Sequence, residues 1–504
     1  MFHRAPLAAL LAAAGLALVL AASTGAALIV GTPRAELLLG TVKPDRIRAG
    51  AGNDRVDVAG GGRDRVTCGR GSDLVAADSS DKVSTDCETV TRLISSDPYR
   101  GGGAMHATEA EPDSFAWGST IVATFQVARF SSGGARNIGF AVSTDAGRHW
   151  RNGLLPSLTV SSTPRGQFSR ASDPSVGYDA LHGVWLIATL GFSDNESALL
   201  VSSSADGFHW RAPFIAGRKQ SGNEGILFDK EWIACDNGAS SPFRGHCYLS
   251  YSDIAGLRLA TQTSSDGGRT WSLPVGSPDN AGRRGIEGAF APAPELVALP
   301  NGVVVVPLYD NGIAVVRSTD GGATFSPETM VAPSRFSSSA VRAAPFPSVE
   351  VGADGSVLMA WPDCARRPNC SGNELLFSKS TDGLAWTPPT TIPFGAGDHI
   401  IDGLAADPAR PGRVAVVYYT ESRGKLDVHL TRSVDSGASW SRPLLLSPER
   451  MSFGRIAFSN GVMVGDYIST SFAGGRAVAV FTLAQSKLRG RLRQATYAAS
   501  VAVP

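Results

Sequence analysis

Acidic residues, arginines and one tyrosine gather in a few short segments of this 504-residue chain, and those segments are where chemistry could sit. Arg170 and Asp173 share F-S-R-A-S-D-P-S-V, and Asp229, Lys230 and Glu231 share D-K-E-W. Asp466 and Tyr467 share V-G-D-Y. A D-C-x-R-x-x-x-C loop holds Asp363, Arg366 and Arg367, and Glu421 and Arg423 form a further loop pair. Carboxyl groups held in unlike surroundings divide acid and base roles, and arginines grip an anionic group. The plainer reading is that Asp173, Asp229 and Asp466 cap strand starts and bind backbone amides. A second candidate chemistry lies near the N-terminus, where Asp54, Asp64 and Asp73 follow or adjoin glycine-rich turns and offer hard oxygen donors.

The elements that must position these groups are short strands. The 57 glycines and 30 prolines favour repeated tight turns over long helices. A net charge of +1 disfavours nucleic acid or an anionic membrane as partner. His3 and Arg4, an apolar run from Leu7 to Ala22 and small residues at 23–26 read as an export signal over residues 1–27, with no membrane span left after cleavage, so the protein is expected to be secreted; an uncleaved anchor is the alternative. Six cysteines fall as local pairs, Cys68 with Cys87, Cys235 with Cys247 and Cys364 with Cys370, which suits an oxidising compartment. Zinc signatures, P-loop, dinucleotide fingerprint and G-x-S-x-G are absent.

Residues 28–94 repeat a triplet of Asp, a variable residue and Ile or Val, at Asp45, Asp54, Asp64, Asp73 and Asp81, with glycine turns between. This roughly nine-residue period resembles the RTX, or haemolysin-type, repeat, which implies a short β-roll binding calcium through Asp54, Asp64 and Asp73. Only Gly50–Asp54 and Gly69–Asp73 keep the G-x-G-x-D core, and a metal-free roll is the alternative. Residues 95–111 read as a linker.

From residue 112 to 504 one turn recurs, S-x-D-x-G-x-x-W. It stands at Ser143–Trp150, Ser264–Trp271, Ser318–Phe325 and Ser433–Trp440, with displaced copies at Ser203–Trp210 and Lys379–Trp386. The first positions are 60, 61, 54, 61 and 54 residues apart, room for four strands per unit. The turns look like Asp boxes, or bacterial neuraminidase repeats, so this part resembles the sialidase-like superfamily. The expectation is an all-β fold, a β-propeller of four-stranded blades, seven in number with six as the alternative, preceded by the short β-roll-like segment.

In that superfamily the boxes lie on the face away from the active site, so the resemblance implies a site at the strand starts. A sialidase needs three arginines for the sugar carboxylate, a tyrosine nucleophile and an acid. Arg170, Arg367, Arg423, Tyr467 and Asp173 are the residues offered for those roles, although the superfamily's F/Y-R-I-P motif is absent. The expected function is recognition of an extracellular glycan or glycoprotein by a monomer, with exo-acting glycoside hydrolysis as the enzymatic form. The alternative is a non-catalytic binding or adhesion module.

Overall fold

The computed structural model describes residues 17–20, 26–220, 227–287, 295–338, 340–393, 395–486 and 491–504, so most of the expected export segment lies outside the described residues. The chain forms two compact units, Met1–Val90 and Thr91–Pro504. Among the described residues no helix is long and apolar enough to cross a membrane.

The first unit is a stack of coils. Ala17–Leu20, Glu36–Leu39, Arg55–Asp57 and Leu74–Ala77 pair in parallel in one sheet. Leu28–Val30, Arg46–Ala51, Arg65–Arg70 and Lys82–Val83 do so in the other. Two of the nine-residue repeats make one coil, so Arg46 pairs with Arg65 and Arg55 with Leu74. The apolar residue of each triplet, Ile47, Val56, Val66 and Val75 among them, points into the narrow core, and the Cys68–Cys87 disulfide closes the stack.

The repeated aspartates tie coil to coil. The backbone N–H of Asp45 donates to Asp64 Oδ1 at 2.6 Å, and that of Asp64 to Asp81 Oδ1 at 2.9 Å. On the other edge Glu36 N–H donates to Asp54 Oδ1 (2.9 Å), Asp54 N–H to Asp73 Oδ1 (2.7 Å) and Asp73 N–H to Glu88 Oε2 (2.8 Å). The coils stack so closely that a Cβ on Gly69, at φ +102°, would lie 1.9 Å from the Gly50 carbonyl oxygen. Asp54, Asp64 and Asp73, read from sequence as calcium ligands, thus spend one oxygen each on the neighbouring coil. Their Oδ2 atoms are buried without a hydrogen bond, and among the described residues no three acidic, histidine or cysteine side chains converge.

The second unit is a run of antiparallel meanders. Ala110–Trp117, Thr120–Arg129, Ala135–Ser143 and Arg151–Leu154 form the first, and Arg170–Asp179, Val184–Ser193, Glu196–Ser204 and Phe214–Gln220 the second. Phe228–Cys235, Cys247–Asp253 and Arg258–Ser264 follow. Later meanders open on Val297–Ala298, Ser348–Val351, Asp398–Ala406 and Ser469–Ala473.

The expected propeller of four-stranded blades is corrected by this pairing. The all-β class stands, but the stacked element of the chain is a β-solenoid of parallel coils, and the antiparallel sheets are not of constant size. Ala135 pairs with Ala171, which merges the first two meanders into one eight-stranded sheet. The third sheet keeps three strands, because the segment after its turn pairs with it as an isolated bridge, Thr261 with Val275, and not as a strand. Met451–Ser452 adds a fifth strand to the Asp398 sheet.

In all six box turns the Ser hydroxyl oxygen accepts from a Gly N–H and the Asp carboxylate from a backbone N–H, and Trp150 and Trp210 add an indole bond to the Gly carbonyl. In the first, Ser143 Oγ accepts from Gly147 N–H at 2.9 Å, Asp145 Oδ1 accepts from His149 N–H at 2.9 Å, and Trp150 Nε1 donates to Gly147 O at 3.1 Å. The displaced copies keep Ser and Asp two residues apart, as Ser204–Asp206 and Ser380–Asp382, and lack instead the left-handed residue that Ala146 or Ser436 supplies elsewhere. Gly207 and Gly383 therefore bond back three residues rather than four.

Burial raises the Asp54 carboxyl to about 6 and the Asp64 carboxyl to about 7, above an unfolded aspartate. Their share of solenoid stability is therefore complete below about pH 4 and is lost as pH rises through 6 and 7. Thermal melts of the full chain should show the first unit weakening over that window, and Asp64→Asn, which keeps the acceptor, should flatten the slope. Ser143→Ala should cost about 1–3 kcal/mol by stranding the buried Gly147 N–H, read by chemical denaturation.

Candidate functional site

The opening strands of the meanders carry an unusual backbone feature at matching places. Glu111, Asp173, Lys230 and Ile401 are non-glycine residues with φ of 51°, 47°, 54° and 53°. Each lies at a register shift in its sheet, between Ala110 and Asp113, Ser172 and Ser175, Asp229 and Trp232, and Ile400 and Asp402. A β-bulge with a left-handed residue re-aims the side chain and stores local strain, which persists where the surroundings over-determine it. Three of the four bulged residues carry ionisable side chains, and they meet.

Lys230 is the hub. Its Nζ lies 2.6 Å from Asp466 Oδ2, 3.3 Å from Asp173 Oδ2 and 3.7 Å from Asp229 Oδ1. Arg342 Nη2 reaches the same Asp466 oxygen at 2.6 Å. Arg129, buried, sits 3.4 Å from Glu111. Gln126 donates to Glu111 and, at 3.0 Å, to Ser172 Oγ, which in turn donates to Asp173 Oδ1 at 2.6 Å. Glu111, Asp173, Lys230, Glu231 and Asp466 are all buried, whereas the Arg342 and Asp229 side chains remain 29% and 32% exposed and form the solvent side of the cluster.

The surroundings push the carboxyls apart. Burial and the nearby Asp173 charge raise Glu111 to about 8, against the pull of Arg129. Burial also opposes ionisation of Asp173, but Lys230 and the Ser172 hydroxyl outweigh it and hold this carboxyl below its usual value. Asp466 is likewise lowered, since Lys230 and Arg342 overcome its burial. Glu231 goes the other way: it is buried, neither oxygen has a hydrogen-bond partner, and its pKa is raised well above normal by burial and by Asp173. A neutral acid thus stands beside an ionised one, an arrangement that splits proton donor from base.

Next to this cluster a cavity of about 380 Å³ is lined by Asp113, Glu295 and Glu350, with Trp117 and Trp232. Burial raises Asp113 and Glu350 to about 7.

Of the five residues offered from sequence for catalysis, the structure brings Asp173 and Tyr467 to the cluster. Tyr467 packs edge-on against Trp232 at 5.2 Å, and its hydroxyl donates to Pro174 O at 3.1 Å. Burial, then Glu111, Asp173 and Glu231, raise its pKa well above normal, which opposes a nucleophilic phenolate. The three arginines differ in their surroundings. Arg170 donates to Ser132 and Gly133 and covers the Phe130 ring, Arg367 pairs with Glu374 at 3.5 Å, and Arg423 is exposed in the turn between Val414–Ser422 and Lys425–Ser433. Arg170 opens its strand, whereas Arg367 and Arg423 lie in turns.

Glu111, Arg129 and Arg342 were not among the residues singled out from sequence. Glu111 carried a signal, because E-P-D-S repeats the acid-proline step of D-P-S-V at Asp173, although the residue falls at the end of the segment read as linker. Arg129 and Arg342 had none; they reach the cluster from a second strand and from the loop before Ser348–Val351.

Truncating the hub tests the cluster. Lys230→Met should destabilise the second unit by about 3–5 kcal/mol, because Asp173 would stay buried without its cation and Asp466 would keep only Arg342. Denaturant unfolding monitored by tryptophan fluorescence reads the loss, and Asp229→Asn, at the exposed rim, should cost far less.

The model of the BNR repeat-like domain matches residues 245–499. A search of the curated proteins finds no match. Among solved structures the chain is similar to a leech intramolecular trans-sialidase, at 13% identity over 71% of this chain and 70% of that one, with a TM-score of 0.45. It is also similar to a Hadza microbial sialidase, at 16% identity over 79% and 66% with a TM-score of 0.41. A third is an α-L-arabinofuranosidase from Fusarium graminearum, at 13% identity over 82% and 97% with a TM-score of 0.42. With just over half of its length matched by the one family model, the chain belongs to the BNR repeat-like domain family.

Proposed function

We propose that the second unit recognises an extracellular glycan at the Lys230 cluster and cleaves a glycosidic bond there with a carboxyl pair. The observation that carries this reading is the opposed state of Glu111 and Asp173, one held neutral and one ionised, on matching strained bulges. Glycoside hydrolysis needs that division: a neutral acid protonates the departing sugar oxygen while an ionised carboxylate activates water or attacks the anomeric carbon. Glu111 is the donor and Asp173 the base or nucleophile. Tyr467 takes no covalent part, since its hydroxyl is committed to Pro174 O, and it positions Trp232 instead. The three local disulfides support an extracellular setting.

The burial of both carboxyls favours a second reading, a binding module in which the same ion network only shapes the surface. An aryl glycoside panel together with a glycan array separates the two. Hydrolysis should be fastest at acidic to neutral pH and fall as pH rises past about 8, where Glu111 loses its proton. Glu111→Gln should lower kcat by about a hundredfold. Glycan retention without turnover on any glycoside would establish the binding module, and neither retention nor turnover would remove both.

A further inference from the structure

The cavity of about 380 Å³ beside the cluster takes no part in the hydrolysis proposed above, yet its volume lies within the roughly 300–1,000 Å³ of small-molecule sites. Part of its wall is aromatic. Phe115, Trp117 and Trp232 line it, and Trp117 keeps 43% of its surface exposed. The Trp117 ring is backed by other rings: it packs on Tyr178 at 5.4 Å, and Tyr178 packs on Trp185 at 4.6 Å. An exposed indole held in this way offers a fixed platform for the C–H face of a ligand ring.

The polar part of the wall is acidic, and each carboxyl commits one oxygen to the protein. Asp113 Oδ2 accepts from Val176 N–H at 2.8 Å, Glu350 Oε1 from Val351 N–H at 2.8 Å and Glu295 Oε1 from Ser348 Oγ at 3.3 Å. Glu295 and Glu350 are half-buried, and the second oxygen of each has no hydrogen-bond partner among the described residues. Among those residues no lysine, arginine or histidine lines the cavity. A sugar carboxylate entering here would meet like charge with no cation to offset it. A wholly apolar guest would leave the carboxyl oxygens unpaired. Sugar hydroxyls suit these groups in either protonation state, since a carboxylate accepts and a carboxylic acid both donates and accepts. Both states occur near neutrality, because burial raises Asp113 and Glu350 to about 7.

We infer that this cavity is a second ligand site, beside the Lys230 cluster, that takes a neutral sugar ring stacked on Trp117 with its hydroxyls on Glu295 and Glu350. Binding here requires no hydrolysis at the cluster.

Calorimetry on the full chain at pH 8, where Asp113 and Glu350 are ionised, tests it with D-glucose, D-galactose, lactose, maltose and D-glucuronate. At least one neutral sugar should bind, about tenfold or more tightly than glucuronate. Trp117→Ala should weaken that binding by about tenfold, whereas Trp117→Phe, which keeps a ring, should retain most of it. Glu350→Ala, on a different strand, should cost about fivefold. Turnover of aryl glycosides should be the same in all three variants as in the unaltered chain. Equal binding of glucuronate, full affinity in both Trp117→Ala and Glu350→Ala, or no binding of any neutral sugar would overturn the cavity site and leave the hydrolytic reading to its own aryl glycoside panel. Loss of turnover together with sugar binding in Trp117→Ala would overturn it too, by making cavity and cluster one site.

Discussion

The second unit depends on how the opening strands of successive meanders are joined. They are stitched by side chains instead of a backbone ladder. Asp113 Oδ2 accepts from Val176 N–H at 2.8 Å, Ser175 Oγ from Ile233 N–H at 3.1 Å, Ser348 Oγ from Leu404 N–H at 2.9 Å and Ser469 Oγ from Ser114 N–H at 3.1 Å. Each stitch satisfies a buried backbone donor that has no strand partner on that side. The spacing it sets leaves room for charged side chains between the strands, and the bulges next to the stitches turn Glu111, Asp173 and Lys230 into that room. Ser175 and Asp173 are two residues apart, so one short segment supplies both the structural stitch and the chemical group.

Placing so many charges in a dry interior is costly unless each is paired and hydrogen-bonded. The cluster meets that condition for Lys230, Arg342, Asp173 and Asp466 through direct ion pairs, and for Glu111 through Arg129 and Gln126. Glu231 escapes it by staying neutral. The unequal treatment of neighbouring carboxyls follows from the balance of burial against the cations: Asp173 and Asp466, nearest Lys230 Nζ, are lowered, whereas burial still raises Asp229, at 3.7 Å, to about 7. Tyr467 sits among the same groups: burial and the neighbouring Glu111, Asp173 and Glu231 raise its pKa well above normal, and its hydroxyl donates to Pro174 O.

Aspartate serves three different ends in this chain. In the coils it carries a hydrogen bond from one turn of the solenoid to the next. In the box turns, where Asp206 and Asp435 are exposed, it ties down local N–H groups and is held below the usual carboxylate range by those bonds, His209 and Ser439 side chains first. In the bulges it stands against a buried lysine. Residue type alone does not separate these uses; the partner does.

Sequence by itself determined what local spacing can encode. The glycine-punctuated Asp triplets specified stacked short strands, and the S-x-D-x-G-x-x-W turns specified strand connections with a structural task for their Asp, because both patterns close within a few residues through hydrogen bonds and φ > 0 positions. The three cysteine pairs lie close enough in the chain to be read as pairs. It also marked D-P-S-V, D-K-E-W and G-D-Y as places where acids gather. Tertiary structure alone decided the rest. That two nine-residue repeats make one coil, and that sheets vary from three to eight strands, depends on pairing between segments far apart in the chain. Asp466 meets Lys230 across 236 residues and Arg342 across 124, and no spacing rule reaches that far. Of the arginines chosen by repeat position, Arg170 and Arg367 are held by neighbours of their own and Arg423 is exposed, whereas Glu111, Asp173 and Lys230 are aimed at one another by strained backbone on stitched strands.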